Sequence, residues 1–142
     1  MRRGGLVTVK KKIEVEPMKC PKCRQYMQPI NYQGVEIERC RNCWGIWFDD
    51  FELEDLKKMA GSEIIDIGDV ETGRDQNENV AILCPKCVPS VMMVSEHDKR
   101  QPHIKYERCT SCNGVYFDAG EFRDLKELTM KELFKSLFHG TE

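Results

Sequence analysis

Four Cys-x-x-Cys pairs hold all eight cysteines of this 142-residue chain, and these are the residues best suited to do chemistry. They are Cys20/Cys23, Cys40/Cys43, Cys84/Cys87 and Cys109/Cys112. Zn(II) asks for a tetrahedron of soft ligands. A Cys-x-x-Cys turn presents two thiolates to one metal while its backbone N–H groups point at the sulfurs. Two such knuckles close a site. The first set reads Cys-x2-Cys-x16-Cys-x2-Cys; the second has a longer spacer of 21 residues, just above the usual range for a zinc site. All eight cysteines are therefore expected to bind metal, as two closed Zn2+ centres per chain. Spacing alone does not name the metal, so rubredoxin-like iron and reactive redox dithiols stay open as alternatives. Pairing of Cys20/Cys23 with Cys84/Cys87 also stays open, although copies that repeat as whole units favour local sites.

The elements that must position these thiolates come twice. VEIERCRNCWGIWFDDFELEDLKKM, from Val35, aligns without gaps on IKYERCTSCNGVYFDAGEFRDLKEL, from Ile104, at an offset of 69 residues. The first knuckles are offset by only 64, so the second copy carries five extra residues around SEHDKRQPH, which predicts a longer hairpin tip. Val35 and Ile37 alternate with Glu36 and Glu38, as Ile104 and Tyr106 do with Lys105 and Glu107, the periodicity of a strand. Each copy thus reads as knuckle, hairpin, knuckle. Pro21 and Pro85 stiffen the first knuckles. Gly45 and Gly114, two residues after the last cysteine of each copy, are expected to close the second knuckles in a left-handed conformation.

A short apolar strand follows in each copy, Ile46 to Phe48 and Val115 to Phe117, and then a helix. Asp49 and Asp118 are the expected N-caps, with Glu52 and Glu121 completing a capping box. Phe48 with Leu53, and Phe117 with Phe122, form a hydrophobic staple. Capping accounts for the cluster Asp49, Asp50, Glu52 and Asp55, to which no catalysis is assigned. In the second copy the apolar pattern continues through Phe122, Leu125, Leu128, Leu133, Leu137 and Phe138, a face long enough to pack on the other ribbon or on a partner.

The fold class is therefore a small metal-stabilised α+β protein: two tandem zinc ribbons, each with two knuckles and a β-hairpin, each followed by an α-helix. The chain divides into a basic N-terminal arm (1–16), ribbon and helix (17–60), an acidic linker (61–79), and a second ribbon with a longer C-terminal helix (80–142). Most of 61–79 reads as a tether that lets the ribbons move independently, with EIIDI able to form a short strand. Units this small need a metal staple to fold.

A formal net charge of −2 argues against coating nucleic acid by charge alone. The arm is nonetheless basic, with Arg2, Arg3, Lys10, Lys11 and Lys12, and could touch phosphate or acidic protein. Lys19, Lys22, Arg24, Arg39 and Arg41 cluster near the first cysteine set, as cations do around an anionic tetrathiolate. His97, His103 and His139 are expected at the surface, since each site already has four thiolates. No apolar run has the length of a secretory or membrane segment, so a cytoplasmic, reducing setting without membrane contact is expected.

CPKC followed by CRNCWGIWFDDFEL, and CPKC followed by CTSCNGVYFDAGEF, resemble the transcription factor IIB-type zinc-finger family over Cys20 to about Met59 and Cys84 to about Leu128. The second copy departs from the pattern at Tyr116 and Phe122, which replace the usual Trp and Leu, and at CVPSV after its first knuckle. The resemblance implies zinc ribbons; a role in transcription would follow by fold-level analogy alone. The reading that results is a zinc-binding adaptor or regulator, not an enzyme. It would bind a protein partner such as transcription machinery, or nucleic acid, with Trp44 or Trp47 and the basic arm as contacts. The alternative is a redox or metal-handling thiolate protein. Oligomeric state is left open.

Overall fold

The computed structural model describes residues 17–77 and 81–139. The expectations for the basic arm lie outside the described residues. So do those for the side chains of Leu128, Leu133, Leu137, Phe138 and His139.

Each copy forms the expected ribbon. In the first, β1 (Met27–Tyr32) and β2 (Val35–Cys40) make a hairpin closed by Gln33 and Gly34, both with positive φ, and β3 (Ile46–Phe48) pairs with β2. Two consecutive positive-φ residues match the right-handed twist of the strands they join. Helix α1 (Glu52–Lys58) follows. In the second copy β4 (Val94–His97), β5 (Lys105–Arg108) and β6 (Val115–Phe117) repeat the arrangement, and α3 (Glu121–His139) follows. The added residues fall in the β4–β5 connection, where Asp98 accepts the backbone N–H groups of Arg100 and Gln101.

The copies are not joined by a tether alone. β3 and β6 pair antiparallel, Ile46 with Phe117, Trp47 with Tyr116 and Phe48 with Val115, so the ribbons build one six-stranded sheet in the order β1-β2-β3-β6-β5-β4. In this register Trp47 faces its repeat counterpart Tyr116, and the flanking positions are exchanged about a pseudo-twofold axis between those two residues. Ile46, Phe48, Val115 and Phe117 point to one face with Ile37, Leu56, Phe122 and Leu125. Trp47 and Tyr116 point to the other, among the cysteines. The central strands are buried on both faces, which is why they read as continuous apolar triplets instead of alternating ones.

The described part of the connecting segment folds against both ribbons, taking a hydrogen bond from Arg39 of the first at the Ile65 carbonyl and meeting α3 of the second. EIIDI forms no strand; Ser62–Ile65 is a 3-10 turn, and α2 (Val70–Asn77) follows. Ser62, Ile65 and Asp66 are buried here despite the polar composition of the segment: Ser62 donates to the Leu56 carbonyl, Ile65 joins the core, and Asp66 meets backbone N–H groups of α3. Asp66 caps α3: its carboxylate accepts the N–H of Gly120 at 2.9 Å and of Arg123 at 2.8 Å. That corrects the expected capping of α3 by Asp118 and Glu121. Asp118 is engaged in an ion pair, and Glu121 accepts the backbone N–H of Lys105. In the first copy only half of the capping box forms. Glu52 accepts the N–H of Asp49 at 2.7 Å, whereas α1 starts after Phe51 without a side-chain cap. The second staple holds, with the rings of Phe117 and Phe122 edge to face at 6.3 Å.

Candidate metal centres

In each copy, one knuckle precedes the hairpin and one follows its second strand, and the two converge on a single point. The sulfurs of Cys20, Cys23, Cys40 and Cys43 lie within 4.8 Å of one another, as do those of Cys84, Cys87, Cys109 and Cys112. The sites form within each copy, not across copies. Sulfurs bound at about 2.3 Å around a tetrahedral ion stand about 3.8 Å apart. The contacts Cys20–Cys43 at 3.7 Å, Cys84–Cys112 at 3.8 Å and Cys87–Cys109 at 3.7 Å already have that spacing, with Cys23–Cys40 closer at 3.3 Å. None of the eight is in a disulfide. The donor set and its dimensions fit one zinc ion per site.

Backbone N–H groups complete the sulfur surroundings. Lys22 and Cys23 donate to Cys20, Asn42 and Cys43 to Cys40, Lys86 to Cys84, and Ser111 and Cys112 to Cys109, at 3.3–3.5 Å. Without metal, four contacting thiols share their protons unequally. Hydrogen bonds from Cys20 and then Cys43 hold Cys40 far below the ordinary thiol value, while bonds to Cys40 and Cys43 and burial push Cys20 far above it. Burial raises Cys109, but the N–H groups of Cys112 and Ser111 outweigh it and bring this thiol to about 7. Metal entry must therefore release protons, and occupancy falls with acidity.

Left-handed backbone closes three of the four knuckles, at Arg24, Trp44 and Asn113, with φ of 70°, 66° and 65°. The expectation for Gly45 and Gly114 is thus corrected: the left-handed residue is the one before each glycine. Glycine is required instead by the opposite ribbon. A Cβ on Gly45 would lie 1.9 Å from the Tyr116 hydroxyl, and one on Gly114 would lie 2.1 Å from Cζ2 of Trp47. Each ribbon thereby inserts one aromatic ring beside the other's metal centre. Tyr116, fully buried, places its hydroxyl 3.0 Å from Cys20 Sγ and 3.3 Å from Cys43 Sγ.

Charge crosses the same seam. Lys22, in the first knuckle of ribbon one, donates to Asp118 of ribbon two at 2.8 Å and lies 3.1 Å from Glu107, with all three side chains almost wholly buried. It also donates to the Gln76 carbonyl of α2 and sits over the Tyr116 ring. Burial raises both carboxyls, and Lys22 acts to lower them. The counterpart pair, Lys86 with Asp49 at 2.9 Å, is 46% and 40% exposed.

Sequence reasoning placed Lys22 and Arg39 among cations drawn to the tetrathiolate. In the structure Lys22 serves the inter-ribbon cluster, and Arg39 donates to the Ile65 carbonyl and covers Trp44. The signal was in the repeat itself: Lys22/Lys86, Glu38/Glu107 and Asp49/Asp118 match pairwise, which a helix cap alone does not require. Trp47 is also corrected. It is completely buried, with its indole N–H donated to Asp49, so it cannot meet a partner; Trp44 is half-buried. His97 and His103 are exposed and take no part in either site.

Residues 19–59 and 83–128 match the family model described as Transcription factor zinc-finger, one match on each copy. No curated protein and no solved structure matches the chain.

Proposed function

We propose, from the premise that the chain belongs to the transcription factor zinc-finger family, that it works as an adaptor or regulator of transcription-related machinery and not as an enzyme. That it is a zinc-binding protein follows from the family and its two tetra-cysteine sites. The adaptor reading rests on the surface at the knuckle end of the sheet. Tyr26, Leu83, Met92 and Val88 are 48%, 48%, 55% and 96% exposed there. Lys19, which lies over the Tyr26 ring, and Arg24 border them.

Exposed apolar and aromatic groups with a basic margin suit a protein partner. Two cations and one aromatic make a weak platform for nucleic acid, which relies on a longer basic groove with several stacking rings. The closed, four-thiolate form of both sites argues for structural metal over redox or metal-transfer chemistry. Among the described residues no helix is long and apolar enough to cross a membrane, and the reducing cytoplasm is the setting in which eight cysteines outside any disulfide bind metal in preference to pairing.

The test is capture of RNA polymerase subunits by the zinc-loaded chain, set beside a chain carrying Leu83→Ser and Met92→Ser. Capture that resists nuclease and is lost in the double variant supports the reading. Binding to oligonucleotides with a steep salt dependence, unchanged in the variant, would replace it with the nucleic-acid reading.

A further inference from the structure

The two metal centres have the same ligands, but their surroundings differ at one polar atom. Tyr116 of β6 brings a hydroxyl to two sulfurs of the first centre, Cys20 at 3.0 Å and Cys43 at 3.3 Å. Its counterpart Trp47 of β3 packs on the knuckle glycine of the second centre, but its indole N–H is donated to Asp49 at 2.9 Å. So the second centre receives no corresponding donor from that ring. Burial follows the same order. Three of the first four cysteines are buried, whereas Cys87 and Cys112 of the second are half-exposed.

We propose that Tyr116 is a positioning residue for the first zinc centre, supplied by the opposite ribbon, so that this centre holds its metal more tightly than the second and owes part of that hold to the second ribbon's fold. A thiolate has lone pairs and no proton once metal is bound, so the Tyr116 O–H is the donor. The bond draws charge off two sulfurs of an anionic tetrathiolate and fixes their orientation toward the metal, as outer-shell hydrogen bonds to metal ligands do. The ring is fixed on every side that matters for this role. Its strand pairs with β3, Lys22 lies 5.8 Å over its face, and Gly45 leaves the space its hydroxyl fills. Because β6 begins just after Cys112, emptying the second centre loosens the strand that carries the hydroxyl. By linkage, metal at either centre then strengthens metal at the other by one factor.

The proposal rests on both centres holding zinc, which elemental analysis of the purified chain checks by itself: about two zinc per chain. Less than that fails the zinc reading before Tyr116 is at issue. With two zinc confirmed, release to an excess of chelator should be biphasic, and Tyr116→Phe should accelerate the slow phase about 10-fold, the usual effect of removing an outer hydrogen bond to a metal ligand, while the fast phase keeps its rate. In the cadmium-113 spectrum of the substituted protein, Tyr116→Phe should move one of two resonances and leave the other, a response that mere loosening of packing would not confine to one site. Removing the second centre with Cys109→Ser should weaken the first, and adding Tyr116→Phe to that variant should weaken it further by a factor like that seen in the slow phase, during which the second centre is also empty. A single release phase in the unaltered chain, equal acceleration of both phases, or no change on losing the hydroxyl would overturn the proposal.

Discussion

The two halves of the molecule share knuckles, hairpin, aromatic strand and helix start, yet they treat equivalent charges in opposite ways. Lys22 is sealed with Glu107 and Asp118 beneath α2, while Lys86 and Asp49 stay in contact with water. The cause is the connecting segment. It follows the first ribbon and lies across one side of the seam, where the carbonyl of Gln76 meets Lys22 and Asp66 caps α3. Among the described residues nothing plays that part on the Lys86 side. Sequence duplication therefore made the sheet symmetric, and a single asymmetric connection made its two edges chemically unequal. A second inequality, of sequence and not of connection, separates the metal centres, because Tyr116 stands where the first copy has Trp47.

The largest effect should come from removing the metal. Units of this size cannot hold together by apolar burial alone, and structural zinc contributes on the order of 10 kcal/mol. Once a strong chelator has removed both metals, the sheet signal in circular dichroism should be abolished across both halves, since β3 and β6 are each other's neighbours; a sheet signal that survives full removal would break the picture of a metal-stapled shared sheet.

The comparison of charges is sharpened by matched substitutions. Lys22→Met leaves two buried carboxylates without their shared cation and should cost about 3–5 kcal/mol in denaturant unfolding at fixed free zinc, whereas Lys86→Met removes an exposed pair worth about 0–1 kcal/mol. Equal costs would mean that the seam is as wet on one side as on the other. Next in size, Gly45→Ala drives a methyl group into Tyr116 and should cost about 1–3 kcal/mol, as overpacking does. Gly114→Ala should match it through Trp47, and an alanine tolerated at either position would show that the rings do not interdigitate as described.

Asp66→Ala should cost about 1–2 kcal/mol by uncapping α3, measured as a lower unfolding midpoint. Its pH dependence has a definite sign. Burial raises the Asp66 carboxyl above the ordinary aspartate value, although hydrogen bonds from Gly120 and Arg123 oppose this. The folded protein thus binds that proton more tightly than the unfolded chain. The group's contribution is most favourable below the ordinary value and declines as pH rises through the raised one. Asp66→Asn should remove that slope at matched metal occupancy. Glu96 should behave oppositely. Arg108 holds it below the ordinary value, so its contribution is lost as pH falls, and carboxyl NMR titration should find the two groups displaced in opposite directions.

The amino-acid sequence by itself determined the metal centres and the ribbons. Eight cysteines at fixed spacing, alternating strands and matched helix starts are local features, governed by turns and by periodicities of a few residues. The capping boxes were legible only in part, because Asp49 and Asp118 satisfy the local pattern but find stronger partners in lysines of the opposite copy. The connecting segment looked like a tether for the same reason. Its polar residues have no use until a distant helix offers unpaired N–H groups to Asp66. Tertiary structure alone decided that β3 pairs with β6, that Trp47 is core and not surface, and that a tyrosine in one ribbon serves cysteines in the other. Those outcomes depend on contacts between residues 67 (Phe48 with Val115) to 96 (Cys20 with Tyr116) positions apart. No local pattern encodes such contacts, and they form only when two apolar strands, each buried on one side by its own ribbon, remove their remaining faces and open edges from water by joining.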